Sequence, residues 1–290
     1  MKLSKATLTE IIFFILLFFT SSAYAQESNP TNLKNSYLKI SLSYLTNSVY
    51  YGRKDSLSVP YITPEISFHD KSGFYIQGSL WYLAGTGAQI DAGSLTLGYE
   101  FSSKNEKISG DLYASKYFVS GSSYSVRGEI KGAVGGSLYY NTGPLSLNAG
   151  VNASISNKTD VALNFGLSHQ FEFTDNKRWA ITPSVLVNGG TQNFYENYYT
   201  HRKYSQKRKR RLTQNTNNVN VIVMNKSFSI LDYELSMPID YTDHKWGLFF
   251  MPTFSIPENG FKYSLNNGAT YQSEILSNSF YAEVGAYIKF

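Results

Sequence analysis

The chain has 290 residues, no cysteine, 16% charged and 16% aromatic residues, and a formal net charge of +5. Soluble domains carry about 25% charged residues. The one long apolar run, Ile11 to Phe19, falls short of the roughly 20 residues a spanning helix needs. A helical membrane protein is thereby excluded and a soluble enzyme disfavoured. With a mean hydropathy of −0.26, the composition fits a membrane β-barrel, where apolar and polar residues alternate and average out. The lack of cysteine also removes disulfides, thiolate metal sites and cysteine nucleophiles together.

In chain order, Lys2 and Lys5 precede the apolar run, and Ala23-Tyr24-Ala25 follows it. That order of charged, apolar and small residues predicts a cleaved signal peptide over 1–25, then a short periplasmic segment over 26–35. From 36 to 290 the expected element is a single barrel. Leu38, Ile40, Leu42 and Tyr44 share one parity and Lys39, Ser41 and Ser43 the other. Period two places them on opposite faces of a strand. Leu95, Leu97, Tyr99 and Phe101 repeat the pattern, as do Leu145 to Ile155 and Leu163 to Leu167. Their alternate positions hold Ser, Asn, Gly and Thr, as a lumen requires, and not the charges of a soluble sandwich. Twelve strands are predicted, near 36–46, 57–68, 73–83, 93–101, 108–118, 127–140, 144–155, 161–173, 179–189, 220–240, 246–256 and 279–290, with ten or fourteen as alternatives. The span 220–240 is too long for one regular strand and calls for a bulge or a loop start.

The connectors sort into short turns (69–72, 102–107, 141–143, 174–178 and 241–245) and longer loops, notably 190–219 and 257–278. Outer-membrane barrels have short periplasmic turns and longer outer loops. On that assignment both termini are periplasmic. The last strand carries Phe280, Ala282, Val284, Ala286, Ile288 and Phe290 on one parity. It resembles the C-terminal strand of bacterial outer-membrane proteins, which implies that Ile288 and Phe290 are read by the barrel-assembly machinery. Thr63-Pro64-Glu65-Ile66-Ser67, Ser72-Gly73-Phe74-Tyr75, Leu231 to Pro238 and Pro252 to Pro257 resemble small outer-membrane barrels of Bacteroidetes-type bacteria. That group is largely uncharacterised, so the resemblance implies fold and location but no reaction.

Two sets of residues carry possible function. The first is basic: Arg202, Lys203, Lys207, Arg208, Lys209, Arg210 and Arg211 face only Glu196 between 191 and 219, a local charge of +6. The expected mature chain has 24 Lys and Arg against 20 Asp and Glu, so everything outside this loop sums to about −2. Such a run binds polyanions by counterion release. On an outer loop the nearest polyanion is lipopolysaccharide, with a solvated loop and an anionic solute as the other readings; no specific nucleic acid is expected. The second set is acidic. Parity points Glu65, Glu100, Asp111, Glu172, Asp232 and Glu234 into the periplasmic half of the lumen, with Lys39, Glu283 and Lys289 on the same face. They form either a salt-bridge network or a cation-favouring constriction, which Tyr75, Tyr113 and Tyr139 would narrow.

His69 and His244 are expected in turns, His201 in the basic loop, and His169 on the lipid-facing parity. Trp179, Trp246, Tyr241, Phe171, Phe173 and Tyr99 read as an interfacial girdle, while Trp81 has an inward parity that would allow stacking on a sugar. No HExxH or nucleophile motif occurs, so neither an enzyme nor a cofactor is expected. The leading expectation is a narrow, passive, porin-like channel. The alternative is a non-transporting surface barrel whose basic loop binds lipopolysaccharide, glycan or a partner. Oligomeric state is not legible.

Overall fold

The computed structural model describes residues 35–290 apart from 55–57, 86–87, 122, 124, 144, 174–175, 199–220, 224–226, 261 and 266–270. The predicted signal peptide and all seven cations of the basic cluster lie outside the described residues.

Twelve antiparallel strands close on themselves. They are β1 (Tyr37–Leu45), β2 (Tyr61–His69), β3 (Phe74–Leu83), β4 (Gln89–Ser102), β5 (Ile108–Val119), β6 (Gly132–Asn141) and β7 (Ser146–Ile155). β8 runs Thr159–Ser168 with a continuation Phe171–Glu172, β9 is Trp179–Ile181 and Ser184–Gly190, and β10 is Ser229–Ser236 and Ile239–Thr242. β11 (Trp246–Pro257) and β12 (Ser279–Lys289) complete the sheet. Each strand pairs with the next, and β12 pairs back onto β1 from Lys39↔Lys289 to Leu45↔Glu283. Closure satisfies the backbone groups of every strand, which a lipid environment demands. The interruptions in β9 and β10 coincide with Pro183 and Pro238, which lack an N–H. The ladder nonetheless continues across them, Thr182 N donating to Pro238 O (2.9 Å) and Met237 N to Pro252 O (3.1 Å).

The outward parity stays apolar and uncovered: Leu97 is 56% exposed, Leu112 58% and Phe165 61%. A continuous band of such side chains cannot face water at acceptable cost, so this is a membrane-spanning barrel. Its interior parity is knitted by hydroxyl pairs between neighbouring strands, Ser79 with Ser94 (2.7 Å), Thr96 with Ser115 (2.8 Å) and Ser184 with Ser236 (2.6 Å).

One end carries both ends of the described chain and the short turns, and is called the turn end; the other is the loop end. At the turn end, Asp70 accepts from Ser36 Oγ (2.9 Å), from the Ser72 backbone (2.9 Å) and from the Ser72 hydroxyl. Those bonds hold its carboxyl down to about 2. At the loop end the predicted strand 220–240 divides. Residues Val221–Val223 pair with Lys262–Leu265 in a separate three-stranded sheet, and β10 begins only at Ser229. The bulge expected in this span falls at Leu231, where the register with β9 shifts between Asn188 and Gly189.

Candidate functional site within the lumen

The interior is built from three groups of side chains at different heights. Nearest the turn end, His69 is the last residue of β2 and not a turn residue. Its ring is buried between Tyr37 (4.7 Å) and Tyr75 (5.3 Å), with Nδ1 3.6 Å from Glu100 Oε1 and Nε2 3.1 Å from Ser67 Oγ. Glu100 stands directly across the ladder from Asp111. Lys39 lies over the Tyr287 ring at 5.0 Å, and Lys289 over Tyr37 and Tyr287 at 5.1 and 5.4 Å. At mid-height Glu65 accepts from Gln77 Nε2 (2.7 Å) and Ser41 Oγ (3.5 Å).

The six expected carboxylates are therefore not gathered in one half. β10 descends from the loop end, so Asp232, near its start, belongs to the loop-end half. There it is fully buried and held by Asn188 Nδ2 (2.8 Å) and Ser255 Oγ (2.9 Å). Glu234 follows two residues further in, accepting from Tyr281 Oη (3.2 Å). Glu172 pairs with the half-exposed Lys177 of the next turn at 3.2 Å, an interaction worth little. His169 meets Phe171 edge-on at 4.2 Å, and Trp179 and Tyr241 contact each other at 5.0 Å near the turn end.

Aromatic rings do not fill the middle of the barrel. Tyr75, Tyr113, Tyr287 and Phe249 each pack ring atoms into the space left by the glycine opposite on the neighbouring strand, Gly98, Gly135, Gly247 and Gly285. This pairing of ring and glycine keeps the rings against the wall. A Cβ on Gly98 would overlap the ring of Tyr75. Gly98→Ala is therefore expected to lever that ring into the lumen, at about 1–3 kcal/mol of overpacking strain. Reduced single-channel current with an intact barrel is the expected outcome.

The loop end is filled by segments folded inward. Between β1 and β2, Val49–Tyr50 and Arg53–Lys54 form a hairpin whose central residues, Tyr51 and Gly52, have φ of 48° and 71°. Two positive φ values are the signature of the two-residue hairpin turn whose twist matches its strands. The hairpin reaches the far wall: Tyr50 Oη is 3.2 Å from Ser154 Oγ of β7, half the barrel's circumference away. Arg53, 2% exposed, latches it there. Its Nη2 donates to Gln192 Oε1 (3.0 Å), Glu258 O (2.9 Å) and Asn259 O (3.4 Å), and its Nε lies 3.5 Å from Glu274 Oε2. Burial pushes the Tyr51 hydroxyl up, with Tyr50 adding to the shift.

Against this hairpin packs a small apolar core of Val126, Ile130, Phe194, Tyr195 and Tyr198. The last three come from a short helix, α1 (Asn193–Tyr198). Asp160 of β8 accepts from the first backbone N–H groups of that helix, Asn193 and Phe194 (both 2.7 Å), and from Thr191 Oγ1 (2.6 Å). Asp91, fully buried, accepts from Tyr61 Oη and from Ser123 Oγ (2.6 Å), tying the 120–131 loop to the wall.

Among the described residues, cavities lie beside these loops. One of about 420 Å³ is lined by β1–β4 through Ser43, Gln77, Ser79, Trp81 and Thr96. A second, of about 180 Å³, lies against β5–β8. Arg127 borders both. Trp81 faces inward as its parity predicts, with Tyr117 at 5.8 Å. A larger concavity of about 870 Å³ lies on the outer wall among Phe68, Phe74, Ile76, Leu97, Leu112 and Val151. Those side chains face lipid, so it is outside any solute path. Sequence reasoning missed Arg53, Asp91, Arg127 and Asp160; only the Tyr51-Gly52 step signalled a turn.

No family model matches the sequence, and no curated protein matches it. Among solved structures the chain is similar to a KdgM porin, with 11% identity and a TM-score of 0.48 over 87% of this chain and 99% of that one. It is also similar to a NanC porin, with 10% identity and a TM-score of 0.45 over 87% of this chain and 100% of that one. A third is LpxR from Salmonella typhimurium, with 9% identity and a TM-score of 0.43 over 86% and 99%.

Proposed function

We infer that the protein is an outer-membrane, porin-like barrel that serves as a narrow passive channel for small solutes, its turn end in the periplasm and its loop end outside. The observation that carries this reading is the lumen itself. Rings pack against glycines of its wall and a hydroxyl-lined cavity of about 420 Å³ persists although loops fold into it. The facing pair Glu100 and Asp111 favours cations near the periplasmic exit. The reading assigns no reaction and requires no cofactor. The purified barrel in planar bilayers is expected to give small, stable openings that prefer cations, and to lose that preference in an E100Q/D111N variant. A folded barrel that passes no current overturns the channel.

A second reading follows from the charge of the loop containing Arg202, Lys203 and Lys207 to Arg211. There the barrel is a platform that holds lipopolysaccharide phosphates at the outer surface. Neutral replacement of Lys207 to Arg211 is expected to weaken lipopolysaccharide binding in proportion to the charges removed. Unchanged binding rejects the platform. Insertion through the C-terminal strand, with Ile288 and Phe290 facing lipid, belongs to the same proposal.

A further inference from the structure

Two arginines of the loop end, the buried Arg53 and the half-buried Arg127, are held in opposite ways. Arg53 is surrounded by oxygens, as a structural arginine is. The guanidinium of Arg127 is instead set among ring faces, with Cζ 5.0 Å from Tyr50, 5.1 Å from Trp81 and 5.4 Å from Tyr117. Its Nε is buried without a hydrogen-bond partner, and among the described residues no carboxylate lies within ion-pair distance of it. Ring faces hold a guanidinium by its π surface and leave the in-plane N–H fork unused. That fork matches a carboxylate or phosphate group.

The surroundings define what else a ligand would carry. Arg127 borders the larger cavity, whose size lies within the usual range of roughly 300–1,000 Å³ for small-molecule sites. Its wall presents the hydroxyls of Ser43, Ser79, Ser94 and Thr96, each able to donate and accept. Trp81 offers one apolar face. Lys39, Glu65 and Glu283 also line this cavity; Lys39 is engaged by the Tyr287 ring, and Glu65 is occupied by Gln77 and Ser41. These carboxylates repel an anionic group and so direct it to Arg127. We propose that Arg127, Trp81 and Tyr117 form a binding station for a polyhydroxylated solute carrying one anionic group, lodged against the serine wall of β1–β4. The inference rests on the lumen being a solute path. It concerns organic solutes, whereas the carboxylates near the turn end act on small ions.

Intrinsic fluorescence of the purified, folded barrel tests it. Of the three tryptophans, Trp179 and Trp246 are 45% and 41% exposed on the outer wall, so a lumen ligand reports through Trp81. Gluconate and glucose 6-phosphate are the anionic probes, which separate carboxylate from phosphate, and sorbitol is the neutral control. Saturable change is expected with at least one anion. Affinity should fall about ten- to hundredfold for sorbitol and for Arg127→Gln, the loss of charge-assisted hydrogen bonds. If Arg127→Gln fails to fold, Arg127→Lys keeps the charge but loses the fork, and must still weaken binding. Equal binding of sorbitol and gluconate, unchanged affinity in the Arg127 variant that folds, or no saturable response to either anion each overturns the station. A barrel that conducts in planar bilayers yet binds neither anion defeats the station and leaves the channel reading standing.

Discussion

Replacing Arg53 by methionine is expected to raise the single-channel conductance several-fold without unfolding the barrel. The side chain sits on no barrel strand, yet it joins the β1–β2 hairpin to three other segments, through Gln192, Glu258 with Asn259, and Glu274. Removing one partner of a buried ion pair costs about 3–5 kcal/mol. Charged to the docked position of the hairpin alone, that shifts its equilibrium toward release by a factor of about 10²–10⁴. Tyr50 on Ser154 and its edge-on contact with Phe194 at 5.0 Å still favour docking, so the variant should flicker between two current levels. Thermal unfolding of the strands should be little changed, because no ladder hydrogen bond is touched. Conductance identical to the wild type would show that the hairpin is not what narrows the lumen.

The second large effect is expected from Asp91→Ala. Tyr61 and Ser123 both donate to this fully buried carboxylate. Hydrogen bonds to charged groups contribute about 1.5–3 kcal/mol each, and a buried donor left without its acceptor adds a penalty. Of the two, only the Ser123 bond holds the 120–131 loop, which carries Arg127 and Val126, so its anchoring weakens by about 1.5–3 kcal/mol, while the lost Tyr61 bond weakens the wall itself. Trypsin cleavage after Arg127 or Lys131 in the folded barrel should then become fast, while Asp91→Asn, which retains acceptors, should be intermediate. Equal protection of wild type and Asp91→Ala would mean that Val126 and Ile130 alone hold the loop.

The wall of the barrel was legible because alternation is a strong signal where one face meets lipid. Leu95, Leu97 and Tyr99 are outward as their parity says, and Ser94, Thr96 and Glu100 inward. The loop-end latches were hidden by breaks in that same parity. Counting back from Leu95 puts Asp91 on the lipid side. Asp91 is itself the extra residue of a bulge, since Trp81 pairs with Ala92 and Tyr82 with Ile90, and the bulge turns it inward while leaving Ile90 62% exposed. On β10 the bulge at Leu231 lies just before Asp232, whose parity does point inward; its place in the loop-end half follows from β10 beginning only at Ser229. A bulge reverses every side chain beyond it, and neither carries a Gly or Pro to announce it. His69 was assigned to a turn because Asp70 to Gly73 reads as one, although the strand runs a residue further. Arg53 and Arg127 belong to loops, whose burial depends on contacts with segments 139 to 206 residues away for Arg53. No local pattern encodes such contacts.

In the proposed channel the β1–β2 hairpin crosses the lumen and narrows the conducting path. A chain without native cysteine allows a direct test with the Tyr50→Cys/Ser154→Cys variant and a short bifunctional maleimide. The expected result is an intrachain cross-link in the folded barrel, together with single-channel current that stays at its low level even when Arg53→Met is also present. A variant that forms no intrachain cross-link, or a cross-linked barrel that still shows the large openings of Arg53→Met, would contradict it.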